Sequence, residues 1–325
     1  MRTKFAKTLI GERSLRLAGI LVSMFLVGPL ELSTHGSLKS ALAQDIVILK
    51  SADIAAYKKA INAFKANLPN SVKNITEYDL QGNIAQGRKL GRKLRASNAT
   101  LVLAVGLKAT LVAKLEILDI PIIYCMVLNP GKYDLNSQNM TGIELQIPTN
   151  RQLKTMRMIL PGMKRVGVVF DPTKTAGLVQ EAQRYAPALG LKLVTRPITS
   201  ERDVPETLRD LLPNIDALWL LPDSTVLTED SLDFLLSSTL EAGVPVIGFS
   251  TGLVRSGALV GLYVKYEDVG DQAAELATKI IRSETIPKAT AIPLKHTRLA
   301  INLKVADFLE IEILPSLMRQ ADEVF

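Results

Sequence analysis

The sequence predicts an α/β protein of two doubly wound lobes joined by a hinge, and three observations predict it. Short runs rich in Val, Ile and Leu alternate with longer segments of helical period, the pattern of parallel strands buried on both faces and linked by helices. The alternation runs from Asp45 to Val127 and starts again at Arg165. The 325 residues, 47% hydrophobic and 22% charged, give length and apolar content for two domains of ordinary size.

In the first unit, Asp45–Lys50 reads as a strand and Ile54–Asn67 as a helix, with Ala55, Ile61, Phe64 and Leu68 along its apolar face. A weaker strand at Ile75–Tyr78, a helix over Ile84–Arg95 and a strand at Leu101–Val105 follow. A short helix from Lys108 and a strand at Pro121–Val127 close the unit. Thr141–Arg151 contains Pro148 and a Thr149 placed to cap the next helix, and it reads as the first crossover between lobes.

In the second unit, strands are expected at Arg165–Phe170, Leu191–Thr195, Ala217–Leu221, Val244–Phe249 and Ala258–Tyr263. Helices are expected at Ala176–Leu189, Val204–Leu212, Thr228–Ala242 and Tyr266–Arg282, with a later crossover near Pro287–Pro293. The lobes are thus expected as 44–146 with 264–290, and 147–263 with 291–325. The units share the order of their elements and no sequence repeat.

Residues 1–43 carry six cations against Glu12 and Glu31, a net of +4, followed by an apolar run Leu17–Leu30 and the small-residue site Ala41-Leu42-Ala43. Those are the three parts of a secretory signal, and the run is shorter than the roughly 20 residues that span a bilayer. The expectation is an exported, cleaved, soluble periplasmic protein. Of the chain's +7, only +3 remains beyond this segment, too little to argue for a nucleic-acid partner. The single Cys125 permits no intramolecular disulfide and reads as a buried small hydrophobe.

Catalytic chemistry is sparse. The histidines are His35, inside the export segment, and His296, so a multi-histidine metal site cannot form and no G-x-S-x-G elbow accompanies either one. The turns after strands lack G-x-G-x-x-G and the P-loop pattern, and GRKLGRKLR at 87–95 reads as a solvated helical face. Binding without metal or cofactor is favoured over an enzyme.

Open parallel sheets bind ligands beyond the carboxyl ends of their strands, where helix N-termini point in. Those ends are Ser51-Ala52, Gly106-Leu107-Lys108, Met126–Asn129, Asp171–Thr175, Pro222–Thr225, Ser250-Thr251 and Tyr263. Gly106 lets either a ligand or packed backbone come near. Phe170, Phe249 and Tyr263 end strands and could stack on a flat ligand, whereas Trp219 reads as core.

Several segments in series carry a resemblance. They are Asn139-Met140-Thr141-Gly142, Leu160–Val168, Pro222-Asp223-Ser224, Gly243–Gly248, and Gly257-Ala258-Leu259 with Tyr266 and Gly270. The closing Ile301–Ala306, Leu314–Leu317 and Ala321–Val324 complete the series. In this order the chain resembles the ABC-transporter substrate-binding proteins whose better-known members bind tryptophan or tyrosine. The resemblance implies a type I periplasmic-binding fold with two Rossmann-like lobes, a ligand at the hinge and an ABC permease of the inner membrane as partner.

It also implies hydroxyls and backbone amides for a carboxylate and an acid for an amino group. Asp223, read as an exposed acceptor beside the cleft, suits the ammonium, or else caps a helix near Val226. Ser51, Thr175, Ser250 and Thr251 either donate to a carboxylate or cap their own helices, and Ser224 or Thr225 could cap as well. With Ala52, Gly106, Leu107, Lys108, Met126, Asp171, Ser224 and Tyr263 these make the expected ligand site. The loops Ser51–Ile54 and Met126–Pro130, and Asp171-Pro172, depart from the family pattern, so the ligand stays open. So does the choice between delivery to an importer and a sensing role at a membrane receptor or kinase. A monomer is expected, because closure about a hinge needs free lobes.

Overall fold

The computed structural model describes residues 44–282 and 291–325. The export segment expected over 1–43 and the Pro287 end of the expected later crossover lie outside the described residues.

The first half builds β1 (Gln44–Lys50), α1 (Ala55–Ala66), β2 (Val72–Asp79), α2 (Ile84–Arg95), β3 (Leu101–Val105), α3 (Leu107–Glu116), β4 (Ile122–Val127) and β5 (Met140–Glu144). Then come α4 (Thr149–Ile159), β6 (Arg165–Phe170), α5 (Pro172–Tyr185), β7 (Lys192–Pro197), α6 (Val204–Leu211), β8 (Ala217–Trp219), α7 (Glu229–Glu241) and β9 (Val246–Gly248). The chain closes with α8 (Thr251–Ser256), β10 (Val260–Tyr263), α9 (Tyr266–Ile281), β11 (Arg298–Ile301), α10 (Leu303–Phe308), α11 (Pro315–Met318) and β12 (Glu323–Val324).

The strands form two sheets, ordered β2-β1-β3-β4-β5 and β12-β11-β10-β9-β8-β6-β7. The first is parallel throughout. In the second, β11 runs antiparallel to β10. Strand order reverses between β1 and β3 in one sheet and between β6 and β8 in the other, which opens a crevice at the carboxyl ends of each pair.

Apolar clusters cover both faces of both sheets. Ile46, Ile48, Leu101 and Leu103 of the first sheet pack with Phe64 of α1 and with Val269, Ala273 and Ala277 of α9. The opposite face packs on α2 and α3 through Leu94, Ala109 and Val112. The second sheet is covered by α4 and α5 on one face and by α6 and α7 on the other. So α9 returns to the first sheet after β10 has completed its place in the second, and Ile292 bridges Ile143 before the chain leaves again for β11. Arg298 of β11 ties these parts together, donating to Asp268 of α9 at 2.7 and 2.5 Å.

Local differences from the sequence expectation have physical causes. Residues 140–144 are a strand rather than the start of a crossover, since Met140 and Ile143 are buried against β4. Thr149 does not cap α4: Pro148 holds the cap position and the Thr149 hydroxyl donates to Glu181 at 2.7 Å. Helix α5 begins at Pro172, because Pro suits the first turn and Asp171 caps it by accepting from Thr173 N. Helix α3 begins at Leu107, one residue early.

Candidate functional site

At the β1/β3 reversal, Ser51 is buried and its Oγ accepts from Ala109 N at 2.9 Å. Ala109 is the third residue of α3, whose cap position is held by Gly106. Ser51 therefore supplies the capping oxygen that glycine cannot, on a neighbouring helix rather than its own. Gly106 has φ +84, and a Cβ there would overlap the Tyr57 hydroxyl and lie 2.8 Å from Ser51 Oγ. Packing and backbone conformation both demand glycine. Ala52 and Leu107 are half-buried, and the exposed Lys108 donates to Gly82 O at 2.8 Å.

Met126 is 6% exposed and packs in the core with Ile123 and Cys125. It has φ +58, at the break in β4–β5 register between Tyr124 and Val127, and its side chain is not among those lining the cleft. Burial pushes the Cys125 thiol up to about 12, which removes thiolate character at neutral pH.

At the β6/β8 reversal, one hydrogen-bonded unit joins two loops. Asp223 is 1% exposed, and its carboxylate accepts from Asp171 N at 2.8 Å, Thr175 Oγ1 at 2.6 Å and Thr225 N at 3.0 Å. Asp171 accepts in turn from the hydroxyls of Thr225 and Thr173, each at 2.7 Å, and these bonds hold its carboxyl below the usual range. The exposed acceptor expected at Asp223 is thus a buried brace, and the helix near Val226 starts instead at Glu229, capped by Thr228. Ser224 accepts from Lys174 Nζ at 2.7 Å.

Ser250 caps α8 by accepting from Leu253 N at 3.2 Å, and Thr251 is that helix's first residue. Tyr263 is no stacking platform: it is 9% exposed and its hydroxyl donates to Glu323 at 2.9 Å. Burial, with Glu323 beside it, raises the phenol well above its ordinary value. Phe170 packs against the core.

A cavity of about 570 Å³ opens between the two sheets. The β4 loop Leu128–Lys132 and the end of β5, Glu144–Gln146, line one side; Thr175, Leu178 and Glu181 of α5, with Leu221, Pro222 and Phe249, line the other. Tyr266 and Val264 border it where the chain passes into α9. Of the strand-end positions put forward from sequence, Leu128, Asn129, Lys174, Thr175, Pro222 and Phe249 line this cavity, and Asp171 and Asp223 hold Thr175 in place. Leu128 is 66% exposed within it, apolar surface that a bound solute would cover.

Strand-end reasoning does not reach Glu144, Glu181 or Tyr266, which also line the cavity. Glu144 ends a strand, so recognising β5 would have found it; Glu181 lies mid-helix and carries no local signal. Burial, and next the Glu181 charge, holds the Glu144 carboxyl above the usual carboxylate range. The folded state therefore binds this proton more tightly than the unfolded chain. Stability declines as pH rises from the unfolded value into the raised folded one, and the cost persists above it. Glu144→Gln is expected to raise the melting temperature at neutral pH and to leave it nearly unchanged near about pH 4, a comparison read by calorimetry at both pH values.

The family model described as ABC transporter substrate binding protein matches residues 46–325. A tyrosine-binding protein of Clostridioides difficile is 22% identical over 236 residues, covering 70% of this chain and 68% of that protein. The ligand-free, open structure of a substrate-binding protein with adhesive properties from Clostridium difficile superposes with a TM-score of 0.73 at 21% identity, over 87% of this chain and 99% of that one. A Streptococcus pneumonia ABC domain in complex with L-Trp gives 0.58 at 20% identity, over 87% and 100%.

Proposed function

Since this chain belongs to the family of ABC transporter substrate-binding proteins, we propose that it captures an amino acid in the cavity between its two sheets and delivers it, in the periplasm, to the permease of an ABC importer. The observation that carries this reading is the lining itself: one cavity joins an apolar wall, an aromatic ring and a carboxylate that has no cation partner among the described residues. Leu128, Leu221 and Phe249 suit an apolar or aromatic side chain. Glu144, in no ion pair among the described residues, suits the ammonium. Lys174, already oriented by Ser224, suits the carboxylate. The amino-acid ligands of the tyrosine-binding relative and of the L-Trp complex support this choice of solute.

Closure is the signal in this reading. Contacts from both lobes stabilise the closed state over the open one, and closure brings the Ser51, Ala52, Gly106 and Leu107 corner toward the solute. The test is a thermal-shift series with L-tyrosine, L-tryptophan and L-leucine. A ligand at about 100 times its Kd adds about 2.7 kcal/mol, which reads as a rise on the order of 5 °C. Glu144→Gln should then weaken that ligand roughly tenfold or more, for loss of a charge-assisted bond. Absence of a shift with every amino acid would reject the solute class.

A further inference from the structure

We propose that the outward face of α2 and the end of α3 is a docking surface for an anionic lipid bilayer, an inference independent of the solute reading. Helix α2 carries Arg88, Lys89, Arg92, Lys93 and Arg95 and no acid. Its buried side is Gly87, Gly91 and Leu94, so helical spacing turns all five cations outward, and all five are exposed. Two acids lie on the adjoining segment. Glu116 bonds Arg88 at 2.6 Å and stands 3.9 Å from Arg92, and Asp119 is exposed just beyond α3. Among the described residues, Lys89, Lys93 and Arg95 enter no ion pair.

A second observation distinguishes this face from a merely solvated one. A Cβ on Gly91 would lie 2.7 Å from Glu116 Cβ, so the last turn of α3 rests directly against α2. Leu115 and Leu118, which flank Glu116, are 61% and 54% exposed, and Ile84, one turn before Arg88, is 43% exposed. Unpaired cations beside protruding aliphatic side chains match the chemistry of a lipid interface. Basic residues are drawn to the negative surface potential, and apolar tips enter the headgroup boundary. The fit is to a surface of diffuse negative charge, since the cations span a helix face rather than converge on one point.

The test is co-sedimentation with vesicles of phosphatidylglycerol or of phosphatidylcholine, using the chain from Gln44 onward, which holds every described element. Binding to phosphatidylglycerol alone is expected, lost at about 0.5 M salt as screening shortens the reach of the charges. Lys89→Ser, Lys93→Ser and Arg95→Ser combined should weaken it by roughly a hundredfold. Leu115→Ser with Leu118→Ser, at unchanged charge, should weaken it by roughly tenfold. Unchanged melting curves for both variants would show that they fold. Equal binding to both vesicle types, binding unaffected by the cation changes, or no vesicle binding at all, as for an acidic protein partner, would overturn the proposal.

Discussion

Asp223→Ala is expected to lower folding stability by about 3 kcal/mol, measured by denaturant titration, because it leaves three donors without their acceptor. Asp223 is 1% exposed and its carboxylate takes bonds from Asp171 N, Thr175 Oγ1 and Thr225 N, so the donors it leaves are buried ones. Solute affinity should fall as well. Thr175 lines the cavity, and its hydroxyl loses the acceptor that orients it. Asp223→Asn keeps one carbonyl oxygen and should recover part of the stability. A loss of affinity with stability unchanged would return Asp223 to the direct role read from sequence.

Gly270→Ala is the second large effect, with an expected cost of about 3 kcal/mol and a matching drop in denaturation midpoint. A Cβ at this position would overlap Ala60 O and sit 2.9 Å from both Ala63 Cβ and Phe64 N. Backbone cannot step aside as a flexible side chain can, so α9 must move off α1. The cluster they share with the first sheet, including Phe64 and Ala273, must then open. Gly177→Ala is the control. It lies in α5 with nothing within 4 Å of the added carbon, and helix propensity alone should stabilise it by about 1 kcal/mol. Equal effects at the two glycines would contradict the packing argument.

Much of the fold is legible in the sequence because burial on two faces writes continuous apolar runs. Leu101–Val105 and Arg165–Phe170 have the bounds that such runs imply, and the one-sided helical period of Ile84–Arg95 marks α2 equally well. β5 is not legible in the same way, for MTGIE carries Gly142 and Thr141 and earns its place by pairing with β4. The antiparallel β11 depends likewise on a partner, β10, that periodicity does not name.

The site divides along the same line. Strand-end reasoning reaches Thr175, Phe249 and the loop after β4, which face the cavity. It cannot tell a ligand acceptor from a brace at Asp223, whose donors Asp171 and Thr175 stand 52 and 48 residues away. Nor can it see that Glu323 claims Tyr263, or that Ser51 serves a helix 58 residues on.

In the proposed function a solute sits between the two sheets and draws on both. Hydrogen–deuterium exchange read by mass spectrometry, with and without the amino acid that most raises the melting temperature, tests it most directly. Slower exchange is expected at 128–132 and 144–147 on one side together with 174–181 and 249–253 on the other. Protection confined to a single side, or spread away from the cavity, would contradict it.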